Sequence, residues 1–596
     1  MQDKILSLIE QHPFLTPLQI SLSLDELEDD VADHLKKMSK KGLAGSISSR
    51  YAELEGQRLY YALEAKGNRS AAPLKALAYR QLAAAVGVYE VRNFLFSLNQ
   101  NGEDLRWWDA FWWESYKSKK DQKRQKSLLV HGGGVWQELT FIVEWDRGDL
   151  PVTGLARRAR ALASWLGAEK FRIYYGFTPA MVIVATTWNR ASAFFDAFAM
   201  QMNKKQAALP PVYATTRSAL RKRGWKAPVW AALKSGETGA QLFQGLLPIP
   251  STLWPGDLND RRRSIFLPHL PEALADKTAY SYRQAALVFR TTPAAKLLLK
   301  RLAVHPLATE NLLRIVTGLS YPVIKQSTRD LKKLGLLKMV SLEGDAYKPR
   351  YAHITRAGLE FLAAGAGVKG PDYIQDRGYR LDELNKEPKL GVLGKSPDHL
   401  WHTRRVFISF YEAAGRALEV GWDESLVAWD DEIDARRYFT FDNERRNLAP
   451  DGYGIYRVGH LWYKFFVEVE LTESKSKAAI VRKVKSYRDF LASGEINRDF
   501  AVNETLYLLL IGKRWSQIER WRLAVKKVLG QQRQLLIRLT TFPQLERTGI
   551  TGLSWRDIDM NWTHPFPALK KRPESARVET FLDGLELHRQ VIAGEK

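Results

Sequence analysis

FIVEWDRGD runs from Phe141 to Asp149, and FFVEVELTE runs from Phe465 to Glu473. Each is an apolar run that reads as a strand and ends in two acids one residue apart. The acids are Glu144 and Asp146 in the first, Glu468 and Glu470 in the second. Working outward, each strand is followed by a basic helix, GLARRARALASWL (154–166) and AIVRKVKSYRDFL (479–491). These align Arg157 with Arg482, Arg158 with Lys483, Arg160 with Lys485 and Leu166 with Leu491. A second apolar strand running into a Trp follows in both, AMVIVATTWNR (180–190) and LYLLLIGKRWS (506–516). Upstream, VYEVRNFLFSL (88–98) parallels WHTRRVFISFY (401–411), and LRWWDAFWWES (105–115) parallels WDESLVAWDDE (422–432).

Further upstream, DKILSLIEQHP (3–13) and AAKLLLKRLAVHP (294–306) each open three amphipathic helices. Each third helix ends in Lys-Lys, a short spacer and Gly-Leu (Gly42, Gly335), before a hairpin that closes near Gly67 or Gly358. Three helices and a hairpin are the order of a winged helix-turn-helix. The expected fold class is α/β with winged-helix domains, in two tandem units. The expected boundaries are a winged helix over 1–70, an α/β domain over 74–246 and a linker over 247–285. A second winged helix over 286–365, a second α/β domain over 390–541 and a C-terminal extension over 542–596, without counterpart in the first unit, complete the chain.

A chain of 596 residues exceeds what one core usually organises, and its 45% hydrophobic and 26% charged content is that of a globular protein. No run of eighteen apolar residues and no N-terminal signal pattern occurs, so a soluble, cytoplasmic protein without membrane contact is expected. With no cysteine, disulfides, thiolate-zinc sites and cysteine nucleophiles are excluded. Ninety Lys and Arg against sixty-six Asp and Glu give a net charge of +24, which favours a polyanionic partner, nucleic acid first. A merely basic surface is the competing reading.

LAPDGYGIYRVGHLWYKFFVEVE places Pro450 and Asp451 before a hairpin that leads into the second strand. Glu468 and Glu470, at i and i+2, share a face. If the hairpin returns Asp451 beside them, three carboxylates converge, an oxygen cluster suited to Mg²⁺ or Mn²⁺. In the first copy VHGGGVW aligns with PDGYGIY, so His131 stands at the place of Asp451, and its interval to the strand glutamate is shorter. The competing reading is that Glu144, Asp146 and Glu468 pair with the basic helix behind them, with Arg157, Arg158 and Arg160 as partners in the first copy. No Walker-type loop occurs, so no nucleotide cofactor is expected.

Pro450, Asp451, Glu468, Glu470, Lys483 and Tyr487 resemble the PD-(D/E)xK nuclease superfamily. More narrowly they resemble the replication-relaxation family of plasmids and other mobile elements, whose pattern is PD, a hydrophobic E-x-D/E and K-x-x-x-Y. The resemblance covers about residues 294–530, and 3–200 as a degenerate copy. It implies a winged helix joined to a nuclease-like domain, with Asp451, Glu468, Glu470 and Lys483 as catalytic residues and the three carboxylates as metal ligands. Glu-x-Glu replaces the superfamily's Glu-x-Lys, so Lys483 would supply the missing charge from the following helix.

The two recognition helices differ. The first carries Asp25, Glu26, Glu28, Asp29 and Asp30, which would repel a phosphate backbone and suit a protein partner better. The second offers Lys325, Gln326, Ser327, Arg329 and Lys332, and its wing adds Lys338, Lys348 and Arg350, a set suited to double-stranded DNA. SYKSKKDQKRQK (115–126) reads as a solvated loop or a phosphate-binding one. The pairs Trp108/Trp422, Trp113/Trp429 and Trp188/Trp515 read as core packing, and His12 and His305 as helix-end features. Three functions fit: duplex-DNA binding in plasmid replication, relaxation or transfer, a metal-dependent endonuclease, and an adaptor that brings a protein partner to DNA.

Overall fold

The computed structural model describes residues 1–47, 58–63, 89–95, 105–109, 131–136, 139–168, 179–224, 229–232, 237–240, 287, 291–340, 351–366, 368, 370–381, 388–390, 397–442, 444–472, 475–494, 506–530 and 535–572. Lys348, Arg350, Trp113 and the 115–126 run lie outside them, as does the linker over 247–285.

Helices α1 (Gln2–Gln11), α2 (Pro17–Leu24) and α3 (Glu28–Lys40) precede a hairpin of β1 (Ala44–Ile47) and β2 (Leu59–Ala62). Thr16 and Gln19 form a capping box at α2, with Pro17 in the first turn. Val31, Leu35 and Met38 give α3 a buried stripe. Asp25 is the left-handed cap of α2 and only Glu28, Asp29 and Asp30 lie in the first turn of α3, so the acidic set straddles the turn between the helices. Helix α4 (89–95) is tied to this region through Tyr89, whose hydroxyl donates to the Pro13 carbonyl at 3.0 Å, and Arg92, which donates to Ser23 at 2.8 Å.

The first sheet runs in the order β3 (Leu105–Asp109), β4 (Gly132–Trp136), β5 (Leu139–Trp145), β6 (Ala180–Ala185), β7 (Val212–Thr216), β8 (Trp230–Ala232), β9 (Glu237–Ala240). Its middle pairs, β5–β6 and β6–β7, are parallel, and the two pairs on either side are antiparallel. One face, with Phe141, Val143 and Trp145, shares a core with Ile5, Leu35 and Tyr89. Ile142, Met181 and Ile183 on the other face pack against α5 (Val152–Leu166) and α6 (Trp188–Lys204), and α7 (Arg217–Arg223) follows β7.

The second half opens with α8 (Pro293–Val304), α9 (Glu310–Thr317) and α10 (Tyr321–Lys333), then a hairpin of β10 (Leu337–Val340) and β11 (Tyr351–Ile354). Helices α11 (Arg356–Gly365) and α12 (Gly370–Asp376) and the hairpin β12 (Tyr379–Leu381) with β13 (Pro388–Leu390) lead to the long α13 (Pro397–Glu419). The second sheet has the order β14 (Glu424–Asp431), β17 (Gly452–Val458), β18 (Leu461–Glu470), β19 (Leu506–Gly512), β20 (Leu535–Thr541), β21 (Trp555–Arg556), β22 (Trp562–Thr563), with β15 (Arg437–Phe441) and β16 (Glu444–Leu448) as a separate hairpin. Its strand directions repeat those of the first sheet pair for pair. Phe465, Val467 and Val469 face Phe407 and Phe410 of α13. Phe466, Leu508 and Leu510 face α14 (Lys477–Ala492) and α15 (Trp515–Leu529).

The stretch from Phe542, set apart above as an extension, completes this sheet. Helix α16 (Phe542–Thr548) leads into β21 and β22, as α7 leads into β8 and β9. Arg572 then reaches back, pairing with the buried Glu424 at 3.1 Å and donating to the Ala413 carbonyl at 2.7 Å.

Packing divides the chain into one unit of Met1–Lys300, Gln326–Leu337 and Arg356–Tyr373 and another of Arg301–Lys325, Lys338–Thr355 and Ile374–Lys596. This division does not fall at residue 285: within the first unit, Lys300 pairs with Asp149 at 2.8 Å and Arg157 with Asp372 at 3.2 Å. Among the described residues no helix is long and apolar enough to cross a membrane.

Candidate functional site

Strand register sets the correspondences. Gly132 pairs with Val143 and Gly452 with Val467, which places His131 where Asp451 stands. The β4–β5 hairpin has five residue pairs and β17–β18 has seven, which accounts for the shorter interval from His131 to Glu144. The first hairpin is two rungs shorter at its far end and has the same register at the site. Trp107, opposite Gly134, is the counterpart of Trp429, opposite Gly454, which corrects the pairing of Trp429 with Trp113. Glu144 pairs with Ile183 and Glu468 with Leu510, so Ala180 corresponds to Tyr507, and Trp188 and Trp515 fall in register at the starts of α6 and α15.

In the second sheet, Asp451 Oδ2 accepts the backbone N–H of Val469 at 2.8 Å. His399 of α13 brings Nε2 within 3.3 Å of the same Oδ2 and 3.1 Å of the Val469 carbonyl. Burial alone would raise Asp451, but His399, Lys483 and the Val469 N–H hold it down at about 2. Burial would lower His399, and Asp451 overrides it to bring the imidazole up to about 9. Glu468 is buried, receives Lys483 Nζ at 3.0 Å and the Tyr487 hydroxyl at 2.7 Å, and both fall on Oε1. Burial pushes Glu468 up to about 7 against the pull of Lys483, and the Asp451 charge adds to the rise. Lys483 also donates to the Ala449 carbonyl.

Glu470 shares the face of Glu468 but is held elsewhere. Its oxygens accept from Trp521 Nε1 at 3.1 Å, from the Thr472 hydroxyl at 3.1 Å and from Lys475 at 3.1 Å. Successive same-face residues lie about 6.6 Å apart along a strand, so Glu468 meets α14 while Glu470 meets α15. The expected convergence of three carboxylates is therefore corrected to Asp451 and Glu468 with Lys483, Tyr487 and His399. Among the described residues no group of three His, Asp or Glu side chains is placed to hold a metal ion.

The first sheet has the same frame with other chemistry. His131 Nδ1 accepts the Trp145 N–H at 3.0 Å, the bond Asp451 makes to Val469. Arg158, the counterpart of Lys483, grips both oxygens of Glu144, with Nη2 at 2.9 Å from Oε2, and its Nη2 lies 3.3 Å from His131 Nε2. Burial, then Arg158 and Arg147, hold the His131 imidazole well below its usual pKa, so it is neutral. Asp146 is bound by Arg190 of α6, with Nη2 at 2.7 Å, and not by the basic helix behind it. Arg190 overrides burial and lowers the Asp146 carboxyl.

On α10, Lys325, Gln326, Arg329 and Lys332 are exposed, and Gln326 is held by Asp330 at 2.9 Å and by Arg329 at 3.1 Å. Ser327 is 3% exposed, which corrects its expected place on a contact face: it lies on the buried stripe with Ile324 and Leu331. Lys338, on β10, is half-buried. His305 does end α8, and it also pairs with the buried Asp431 at 3.0 Å.

No curated protein and no solved structure matches the chain. The family model for replication-relaxation matches residues 299–506, a span that includes α10, His399, Asp451, Glu468 and Lys483. Over that span the chain is similar to the replication-relaxation family.

Proposed function

We propose that this protein binds duplex DNA in the replication or relaxation of a plasmid or other mobile element, through a winged helix formed by α8 to β11. The observation that carries the reading is the outer face of α10, where Lys325, Arg329 and Lys332 stand exposed beside Gln326. Lysines there would hold phosphates, and Gln326 or Arg329 would read base edges. The family match over residues 299–506 supports the same role. The repeated strand directions and registers support a tandem duplication in which the first copy has become scaffold.

Fluorescence anisotropy with a labelled duplex across a salt series tests this. The Lys325→Ala, Arg329→Ala, Lys332→Ala triple variant should bind on the order of a hundredfold more weakly, with a log–log salt slope shallower by about 2. Unchanged affinity and slope would sink the proposal.

A second reading, metal-dependent cleavage, is favoured by the approach of Asp451 and Glu468 to one lysine. Their carboxylates, with the Val469 carbonyl, are hard oxygen donors that fit Mg²⁺ or Mn²⁺, and these residues would hold the ion. A bound ion would supply an activated water and neutralise the scissile phosphate. Nicking of supercoiled plasmid by wild type and not by Asp451→Asn would support it. Intact plasmid with both proteins would leave binding as the function.

A further inference from the structure

Arg556 lies between two indoles. Its guanidinium carbon is 4.9 Å from the Trp515 ring centre and 4.3 Å from that of Trp562. Arg556 Nε is buried with no hydrogen-bond partner, so the stack itself holds the side chain. Trp562 is 45% exposed. Beside this stack a cleft of about 320 Å³ is lined by Trp515, Ser516, Glu519, Arg556 and Met560. Met560 sits at φ 75, a left-handed conformation costly for a side chain of this size, and the turn is fixed by Asp557, which accepts the N–H groups of Asp559 and Asn561. Lys513 and Arg514, both exposed, precede Trp515 on the chain.

The position is specific. Glu468, Leu510, Leu539 and Arg556 pair in one row across β18, β19, β20 and β21. Directly paired residues share a face, so Arg556 is on the face of Glu468 at three strand spacings, about 14 Å. A core explanation fits Trp521 and Trp555, both fully buried, and does not fit Trp562, an indole left half in solvent.

We propose that Trp515, Arg556 and Trp562 form a stacking platform for an unpaired nucleobase of single-stranded DNA. The outer face of Trp562 extends a stack of planar groups, and any base has a π-face to add to it. Lys513 and Arg514 would take the phosphates, with the exposed Ser516 available to base edges. The inference rests on the DNA-binding reading only for its biological setting.

The test uses the full chain with a fluorescein-labelled 20-nucleotide single strand and, separately, the matching duplex. Trp562→Ala should weaken single-strand binding on the order of tenfold and leave duplex affinity unchanged, and Trp562→Phe should restore most of the loss. Intrinsic tryptophan fluorescence should be quenched by the single strand in wild type and much less in Trp562→Ala. Single-strand affinity within twofold of wild type in Trp562→Ala, or an equal fall for duplex, would overturn the proposal. Duplex binding that fails in wild type while the Trp562 effect persists would refute the α10 reading alone.

Discussion

In the first sheet one guanidinium closes over both oxygens of Glu144, while in the second an amine and a phenol share one oxygen of Glu468. The frames are alike: the same strand order, the same bond from the residue after the glutamate, a basic residue at the same place on the following helix. The difference lies in how completely the acid is satisfied. A fork-to-fork arginine pair is a finished structural contact. A lysine and a tyrosine, four residues apart on α14, hold the carboxylate in place and leave it titratable near neutrality. Beside Glu144, His131 is a neutral acceptor, whereas beside Glu468, Asp451 is a charged one with His399 against it.

The largest effect should come from removing the arginine. Arg158→Ala leaves a buried carboxylate without its partner and should cost the first unit about 3 kcal/mol by urea denaturation. Lys483→Ala should cost less than half as much, because Tyr487 still donates to Glu468. Equal losses would erase the distinction drawn between the two sites.

Opposite pH responses should sharpen it. His131 is neutral in the fold and takes a proton when unfolded, so its contribution is lost as pH falls through 6.5. His399 is raised, so its contribution is full below 6.5 and is lost as pH rises through about 9. Partial exposure of His399 limits that contribution to about 1 kcal/mol. Protection factors, with the intrinsic base-catalysed exchange rate divided out, should therefore fall over β5 toward pH 5.5 and over β18 toward pH 9.5. The same direction in both strands would contradict the assignments.

The smallest effect concerns the helices. Asp29→Asn with Asp30→Asn removes charges that favour the start of α3 and should cost about 0.5 kcal/mol. Duplex affinity should not change, in contrast to the α10 variant, and a gain of affinity would mean that α3 also lies against DNA.

Much of this comparison was legible in the sequence. The Glu-x-acid strand ends, the alignment of Arg158 with Lys483 and the place of His131 all follow from local pattern, because strand and helix periods repeat over short windows. Non-local partners were not legible. Nothing near His399 marks it, since its meeting with Asp451 depends on how α13 packs against the sheet. Arg190 was hidden for the same reason. Strands β21 and β22 are two residues each, too short to show an alternation, so the end of the sheet read as an appendage. The tryptophan pairing slipped because unmatched loop residues shift an alignment that backbone pairing does not.

The bond from Arg572 to the Ala413 carbonyl joins residues 159 apart. Together with its ion pair to Glu424, it ties the first strand of the second sheet to the segment after the last. During synthesis β20 keeps an open edge, a template for pairing with another chain, until β21 has left the ribosome, and the Arg572 tie forms only after that. A high contact order of this kind predicts slow, late folding.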